Sequence, residues 1–213
     1  MKQNFKGAIF DLDGTLIDSN GVWKQIDIEF LGKRGFSVPD DYMSAISHLG
    51  SYGCALYTIE RFQLKESPEA LIEEWTEMAK EAYVTKIALK PFAKEYIQLL
   101  HNNNIPLAIA TASKLELVTS VLENNDVLSY FHSITTLSEV SRGKGFPDIY
   151  EKAAEKIQCL PKECVVFEDI LKGIQGANMG NFYTVGVFDC YCKEQEAVKK
   201  EANHYIYSFK ELL

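Results

Sequence analysis

The stretch "AIFDLDGTLIDS", residues 8–19, places two carboxylates directly after a short apolar run and immediately before a glycine. Asp11 and Asp13 are two residues apart, so in an extended chain both side chains face the same way and can reach one ligand. Gly14 lets the backbone turn tightly beside that ligand. Asp-Gly is also ordinary turn chemistry at the end of a strand. The meaning of the pair therefore depends on what the other strand ends carry.

Four further apolar runs alternate with helical segments toward the C-terminus. They are "PLAIAT" (106–111), "SITT" (133–136), "CVVFED" (164–169) and "YTVGVF" (183–188). Alternation of strands and helices is typical of a parallel sheet with helices on both faces. We therefore predict an α/β fold, a Rossmann-like doubly wound parallel sheet, in which "GAIF" (7–10) supplies the first strand.

A helical block separates that first strand from the others. Every segment between Asn20 and about Lys86 has a helical pattern, and the clearest is "SPEALIEEWTEMAKEAYVTK" (67–86). Its apolar residues recur at steps of three and four, and Ser67 with Pro68 supplies the signals of a helix start. We predict an inserted α-helical bundle, the cap, over residues 18–86, and a core formed by residues 1–17 and 87–213.

Composition limits the partners. The chain has 213 residues, 46% of them hydrophobic, and a formal charge of -8. The scattered Lys and Arg residues provide no basic face, so nucleic acid is not an expected partner. No apolar run approaches the roughly 20 residues of a spanning helix, and no signal-peptide core precedes the first motif. We expect a cytoplasmic protein without a membrane partner.

The cysteines and histidines do not suggest a metal site. The five cysteines include no Cys-x-x-Cys pair and are odd in number, which favours reduced, mostly packing thiols. The four histidines lie far apart in the sequence without ligand-like spacing.

The other strand ends carry complementary chemistry. Thr111 ends the second strand and is followed by Ala112 at a helix start, Lys144 lies in "GKGFPDIY" after the third strand, and Glu168 and Asp169 end the fourth. Each alone has a structural explanation as a cap, a solvated loop charge or a turn residue. Together, carboxylates suit a hard cation such as Mg2+, while the lysine, hydroxyl and helix N-terminal amides suit a phosphate. This combination indicates phosphoryl transfer.

At these residues the sequence resembles the haloacid dehalogenase superfamily. "DLDGTLI" matches the first motif, Thr111 the second, Lys144 with the following Pro-Asp the third, and Glu168 and Asp169 with "KGIQGANMG" the fourth. The match covers residues 5–188. Ile170 stands where the family often has Ser or Thr. The position and size of the cap resemble the subfamily of β-phosphoglucomutase and small-metabolite phosphatases.

The resemblance implies roles for these residues. Asp11 is expected to attack phosphorus and form an aspartyl-phosphate, and Asp13 to act as general acid and then general base. Thr111, Ala112 and Lys144 are expected to bind the phosphate. Mg2+ is the expected cofactor, with Asp11, Asp13 (through its backbone carbonyl), Glu168 and Asp169 as its ligands.

The cap is expected to supply specificity. Its connections, near residues 17–20 and 87–91, are candidate hinges for closure over the substrate. Trp23, His48 and Tyr52 are candidate substrate contacts, although packing is an equally good explanation for Trp23 and a helix-end position for His48.

Three functions are compatible with these motifs. The first is a Mg2+-dependent phosphatase for a small phosphorylated metabolite, with a sugar or polyol phosphate suggested by the resemblance. The second is a β-phosphoglucomutase-like mutase, whose pattern has a cap-side His where this chain has Trp23. Indole cannot exchange a proton, and "LIDSNGVW" (16–23) resembles sugar-phosphate phosphatases, so the phosphatase is favoured.

The third function is a non-enzymatic phospho-acceptor signalling domain. It requires an acceptor Asp after the third strand, where this chain has "TTLSE", so it is disfavoured. A monomer is expected, with a dimer as the alternative.

Overall fold

The computed structural model describes residues 5–213, so residues 1–4 of the predicted core lie outside the described residues. Its centre is a six-stranded sheet of order β3-β2-β1-β4-β5-β6 in which every pair is parallel. The strands are β1 (Gly7–Phe10), β2 (Leu107–Thr111), β3 (Phe131–Thr136), β4 (Cys164–Glu168), β5 (Tyr183–Val187) and β6 (His204–Ile206). The helices are α1 (Asn20–Lys33), α2 (Tyr42–Ile46), α3 (Ser51–Phe62), α4 (Pro68–Thr85), α5 (Ala93–Asn102), α6 (Leu115–Asn124), α7 (Asp148–Lys156), α8 (Leu171–Met179) and α9 (Gln195–Glu201).

The central strands are buried on both faces, which is why they are almost continuously apolar. In β1, Ala8 and Phe10 belong to one hydrophobic cluster and Ile9 to the other. The ring of Phe10 stacks on Phe167 of β4 with centroids 4.5 Å apart. The predicted doubly wound sheet is confirmed.

The order of strands locates the ligand crevice. β1 pairs with β2 on one side and with β4 on the other. After β3, which lies on the β2 side, the chain therefore passes to the opposite side of β1 to form β4. In open parallel sheets ligands bind beyond the carboxyl ends of the strands at such a switch point. Because Phe10 pairs with Phe167, the next residues, Asp11 and Glu168, lie side by side at this edge.

Helices α1–α4 form the predicted insertion between β1 and α5. Helix α4 contacts α1 and α3. Between α1 and α4, the ring centroids of Phe30 and Trp75 lie 5.1 Å apart. Helix α4 begins as predicted, with the Ser67 side chain accepting a hydrogen bond from Ala70 N at 3.2 Å. The inserted helical bundle is therefore present.

The two connections to this bundle are joined to each other. The backbone N–H of Asp18 donates to the Ala88 carbonyl at 3.0 Å, and that of Lys90 donates to the Leu16 carbonyl at 2.8 Å. Both candidate hinges therefore meet in one short, hydrogen-bonded crossing.

The strand predictions differ from the structure at the edges of the sheet. Strand β6 was not predicted, because three residues flanked by polar sequence carry too little periodicity. Strand β3 starts two residues earlier than predicted, at Phe131. Among the described residues, none of the helices has the length and apolar character needed to span a bilayer.

Candidate active site

Three buried carboxylates meet at the carboxyl edge of the sheet. Asp11 follows β1, Glu168 ends β4, and Asp169 follows it; all three are 4% exposed or less. Their oxygens lie within 4.8 Å of one another. Two elements far apart in sequence thus bring three of the predicted metal-binding residues to one point.

Lys144 inserts a buried ammonium into this cluster. Its Nζ hydrogen-bonds Asp11 Oδ1 and lies 2.5 Å from Glu168 Oε1. Burial alone would lower the pKa of Lys144, but the charges of Asp11 and Glu168 outweigh it and raise that pKa. Lys144 therefore carries a proton and a positive charge at neutral pH.

One ammonium does not balance three carboxylates. Burial, followed by the charge of Asp11, raises the pKa of Glu168 to about 7 despite Lys144. Burial and the charges of Asp11 and Glu168 raise the pKa of Asp169 well above its ordinary value. Burial also raises the pKa of Asp11, against the opposing effect of Lys144. The cluster has an excess of negative charge that a bound cation would neutralise.

The donor set fits a divalent cation. Glu168 Oε2 is buried and has no hydrogen-bond partner among residues 5–213. Glycines leave room beside the carboxylates: a Cβ at Gly173 would lie 2.5 Å from Glu168 Oε2, and one at Gly14 would lie 2.3 Å from Asp169 Oδ2. Closely spaced carboxylate oxygens are the ligands of hard cations.

Asp13 accepts hydrogen bonds from four side chains. Ser19 Oγ and Trp23 Nε1 donate to Oδ1 at 2.6 and 3.2 Å, the Tyr83 hydroxyl donates to the same oxygen, and Ser113 Oγ donates to Oδ2 at 2.6 Å. Trp23 and Tyr83 belong to α1 and α4. The helical insertion therefore contacts the predicted general acid and base directly.

The predicted phosphate-binding residues surround the same space. Thr111 is fully buried at the end of β2, and its Oγ1 accepts a hydrogen bond from Ser113 N at 3.0 Å. Thr111, Ala112 and Lys144 line one cavity of about 200 Å³ together with Asp11 and Asp13.

The three candidate substrate contacts differ in whether they line this cavity. Trp23 lines the cavity, whereas His48 and Tyr52 are not among its lining residues. The His48 carbonyl accepts a hydrogen bond from Lys144 N at 3.2 Å, which places His48 where the insertion meets the core. Tyr52 is 55% exposed. Among these candidates, Trp23 alone lines the cavity, and a role in substrate binding stays a prediction for all three.

Sequence reasoning missed several residues of the site. The Thr15 hydroxyl lies 3.1 Å from both Asp11 Oδ2 and Asp169 Oδ1, and the Tyr150 hydroxyl donates to Glu168 Oε1 at 2.7 Å. Thr15 follows the two aspartates inside the quoted motif, which was a usable signal. The sequence gave no such signal for Tyr150 or Tyr83, because each lies among the regularly spaced apolar residues of a helix and is expected to pack.

Asp27 is a second residue that the sequence prediction missed. It lies on α1, is 6% exposed and lines the cavity. The signal was a carboxylate among the apolar positions of α1, one turn after Trp23.

Asp27 makes folding stability depend on pH. Burial raises its pKa to about 7 from 3.8, so between those values the folded state binds more protons than the unfolded state. The stability that Asp27 contributes is therefore complete below about pH 4 and is lost as the pH rises toward 7. We expect Asp27→Asn to stabilise the metal-free protein increasingly from pH 5 to pH 8, by at most about 4 kcal/mol.

Thermal unfolding of both proteins across this pH range measures the effect. Glu29→Gln, which changes an exposed carboxyl on the same helix, is the matched control. A difference between Asp27→Asn and the wild type that does not vary with pH would contradict the assignment.

Comparison with known proteins agrees with this geometry. Residues 8–187 match the family described as haloacid dehalogenase-like hydrolase, so the chain belongs to that family. The class predicted from the motifs, a phosphoric monoester hydrolase, is confirmed by this match together with relatives named as phosphatases.

One such relative is fructose-1-phosphate phosphatase YqaB of Escherichia coli (strain K12), 28% identical over 187 residues that cover 88% of this chain and 98% of the relative. Two solved structures share the fold. CbbY from Rhodobacter sphaeroides in complex with phosphate has a TM-score of 0.84 and 24% identity, over 98% of this chain and 96% of the other. A β-phosphoglucomutase from Clostridium difficile has a TM-score of 0.81 and 21% identity, over 98% and 93%.

Proposed function

We propose that this protein is a Mg2+-dependent, cytoplasmic phosphatase that hydrolyses a sugar or polyol phosphate through an aspartyl-phosphate on Asp11. The observation that carries the proposal is the buried cluster of Asp11, Glu168, Asp169 and Lys144, which opens into the cavity that Asp13 also lines. Residues 18–86 act as the cap and the remainder as the catalytic core. The chain works as a monomer on a small metabolite.

The reaction proceeds in two displacements. A carboxylate oxygen of Asp11 forms a bond to phosphorus while the bond from phosphorus to the ester oxygen breaks, and the carboxyl of Asp13 gives its proton to the leaving alcohol. Asp13 then takes a proton from water as the water attacks phosphorus. Inorganic phosphate leaves, and the Asp11 carboxylate is restored.

The surrounding residues bind and orient the phosphoryl group. The Lys144 ammonium and the Thr111 hydroxyl, with the amides that follow β2, are positioned to hold phosphoryl oxygens as charge redistributes. Asp11, Glu168, Asp169 and the Asp13 carbonyl would hold Mg2+, which screens the repulsion between the Asp11 carboxylate and the phosphate when bound.

The contacts of Asp13 favour hydrolysis over a mutase reaction. The cap-side partner of Asp13 on α1 is Trp23, whose Nε1–H donates at 3.2 Å and does not exchange a proton during catalysis. Likeness to the β-phosphoglucomutase structure is a likeness of fold and leaves the reaction open.

We expect net phosphate release from sugar and polyol phosphates, dependent on Mg2+, and no appreciable interconversion of glucose phosphates. The test follows β-glucose 1-phosphate with catalytic glucose 1,6-bisphosphate and Mg2+, and measures glucose 6-phosphate and free phosphate together. A panel of phosphorylated metabolites with and without Mg2+ is run in parallel. Rapid isomerisation with little free phosphate would establish the mutase, and no reaction with any ester would refute both enzymes.

A further inference from the structure

The loop that carries Lys144 is in direct contact with the helical insertion. The backbone N–H of Lys144 donates a hydrogen bond to the His48 carbonyl at 3.2 Å. His48 lies between α2 and α3 of the insertion, whereas Lys144 lies between β3 and α7 of the core. The hydrogen bond therefore joins the main chains of the insertion and the core at the residue whose side chain enters the carboxylate cluster.

A glycine next to Lys144 permits this close approach. A Cβ at Gly143 would lie 2.6 Å from the His48 carbonyl oxygen, closer than nonbonded carbon and oxygen atoms pack. On the other side of Lys144, a Cβ at Gly145 would lie 3.7 Å from Cδ of the exposed Lys172, which is an ordinary contact. Neither glycine has a positive φ. An alanine at the two positions therefore differs in what its methyl group meets, and only the one at residue 143 meets the insertion.

The carbonyl side of Lys144 is held by the core. A Cβ at Gly176 of α8 would overlap the Lys144 carbonyl oxygen and would lie 2.8 Å from the Phe146 carbonyl oxygen. The loop therefore packs directly on the backbone of α8. The main chain of Lys144 is thus contacted by the insertion at its N–H and by α8 at its carbonyl.

The same segment of the insertion touches the β3–α7 connection at a second point. A Cβ at Gly50 would lie 3.2 Å from Cβ of Leu137, the residue that follows β3. Residues 48–50 therefore pack against both the beginning of this connection and the loop around Lys144. A charged group that acts in catalysis has to be held in place before the reaction begins, and this packing holds the backbone from which the Lys144 side chain extends.

We propose that the His48 carbonyl is a positioning group for Lys144. It fixes the main chain of the lysine from the insertion, so that the ammonium is correctly placed for the phosphoryl group only while residues 48–50 lie against the core. The inference rests on the proposed phosphatase activity, and it gives the insertion a role in placing a core residue that is separate from substrate recognition.

Gly143→Ala tests the contact, and Gly145→Ala is the matched control because it adds the same methyl group on the other side of the same lysine. Steady-state kcat and KM are measured with Mg2+ for a sugar phosphate that the wild type hydrolyses, together with inhibition by inorganic phosphate. Each alanine is also introduced into Lys144→Met, which has no ammonium left to position. Residue-resolved hydrogen exchange of the Lys144 amide, without Mg2+ or substrate, reports on the hydrogen bond itself. Thermal unfolding shows that each variant is folded.

We expect Gly143→Ala to lower kcat by about 10- to 100-fold and to weaken inhibition by phosphate, because a shift of about 1 Å in a positioned group has an effect of this size. Gly145→Ala should keep kcat within about twofold of the wild type. In the Lys144→Met background, Gly143→Ala should lower kcat by less than about threefold further, since two changes that act through one group are not additive. The Lys144 amide should exchange at least about tenfold faster in Gly143→Ala than in the wild type or in Gly145→Ala.

Other results overturn the positioning role. Full additivity of Gly143→Ala and Lys144→Met would mean that the methyl group displaces the insertion as a whole and does not act through the lysine. Wild-type kcat in folded Gly143→Ala, or equal losses in Gly143→Ala and Gly145→Ala, would also refute it. A wild-type Lys144 amide that exchanges as fast as an unstructured one would refute the contact even if Gly143→Ala failed to fold. A wild type that hydrolyses no ester would refute the phosphatase and this role with it, whereas additive losses in an active enzyme would refute the role alone.

Discussion

Replacing Asp11 by asparagine is expected to abolish turnover, with a loss of at least about 10^4-fold in kcat. The carboxamide has nearly the same shape as the carboxylate but lacks the negative charge required for attack on phosphorus. Phosphate release with Mg2+ and a proposed sugar phosphate measures the loss. No acid-stable phosphoryl label should remain on the quenched variant, whereas the wild type should carry one.

The variant should remain folded. Asp11 lies in a cluster with excess negative charge, so removing one charge there does not lower the free energy of unfolding. Asp18→Asn, which changes an exposed carboxyl in the connection to the cap, is the matched control and should keep wild-type turnover. Near wild-type activity in a sequence-verified, folded Asp11→Asn protein would refute the nucleophile.

Lys144→Ala is expected to lower kcat by about 10^2- to 10^3-fold, a barrier increase of a few kcal/mol. The lost ammonium is a preorganised charge, held by Asp11 and Glu168 at the place where phosphoryl oxygens are expected to gather. Phosphate release and competitive inhibition by inorganic phosphate measure the two effects, and both turnover and phosphate affinity should fall.

Removing Lys144 also leaves two buried carboxylates without their cation. The metal-free variant should be destabilised by about 3 kcal/mol, and added Mg2+ should restore part of that loss. Lys144→Met separates the missing charge from the missing side-chain volume, and Lys162→Ala at an exposed position is the control. Unchanged turnover and unchanged phosphate affinity would make Lys144 a structural residue only.

The core of the fold and of its site could be predicted from local sequence. A strand buried on both faces is continuously apolar, so β1, β2 and β4 were located to within a residue or two. The side chains that follow such strands must meet at one edge of a parallel sheet. For that reason Asp11, Thr111, Lys144, Glu168 and Asp169 could be grouped before their distances were known.

Only the tertiary structure decided how the cap contributes. Asp27, Trp75 and Tyr83 are buried residues of α1 and α4, and Trp23 is half-buried on α1. Periodicity gives the same pattern to a residue that packs and to one that lines a cavity. Which of these side chains contact Asp13 depends on how two helices pack over a sheet edge formed by other parts of the chain. The sequence by itself therefore determined which residues lie at the catalytic edge, since they follow directly on the predicted strands. The walls of the cavity were decided by packing between elements distant in sequence.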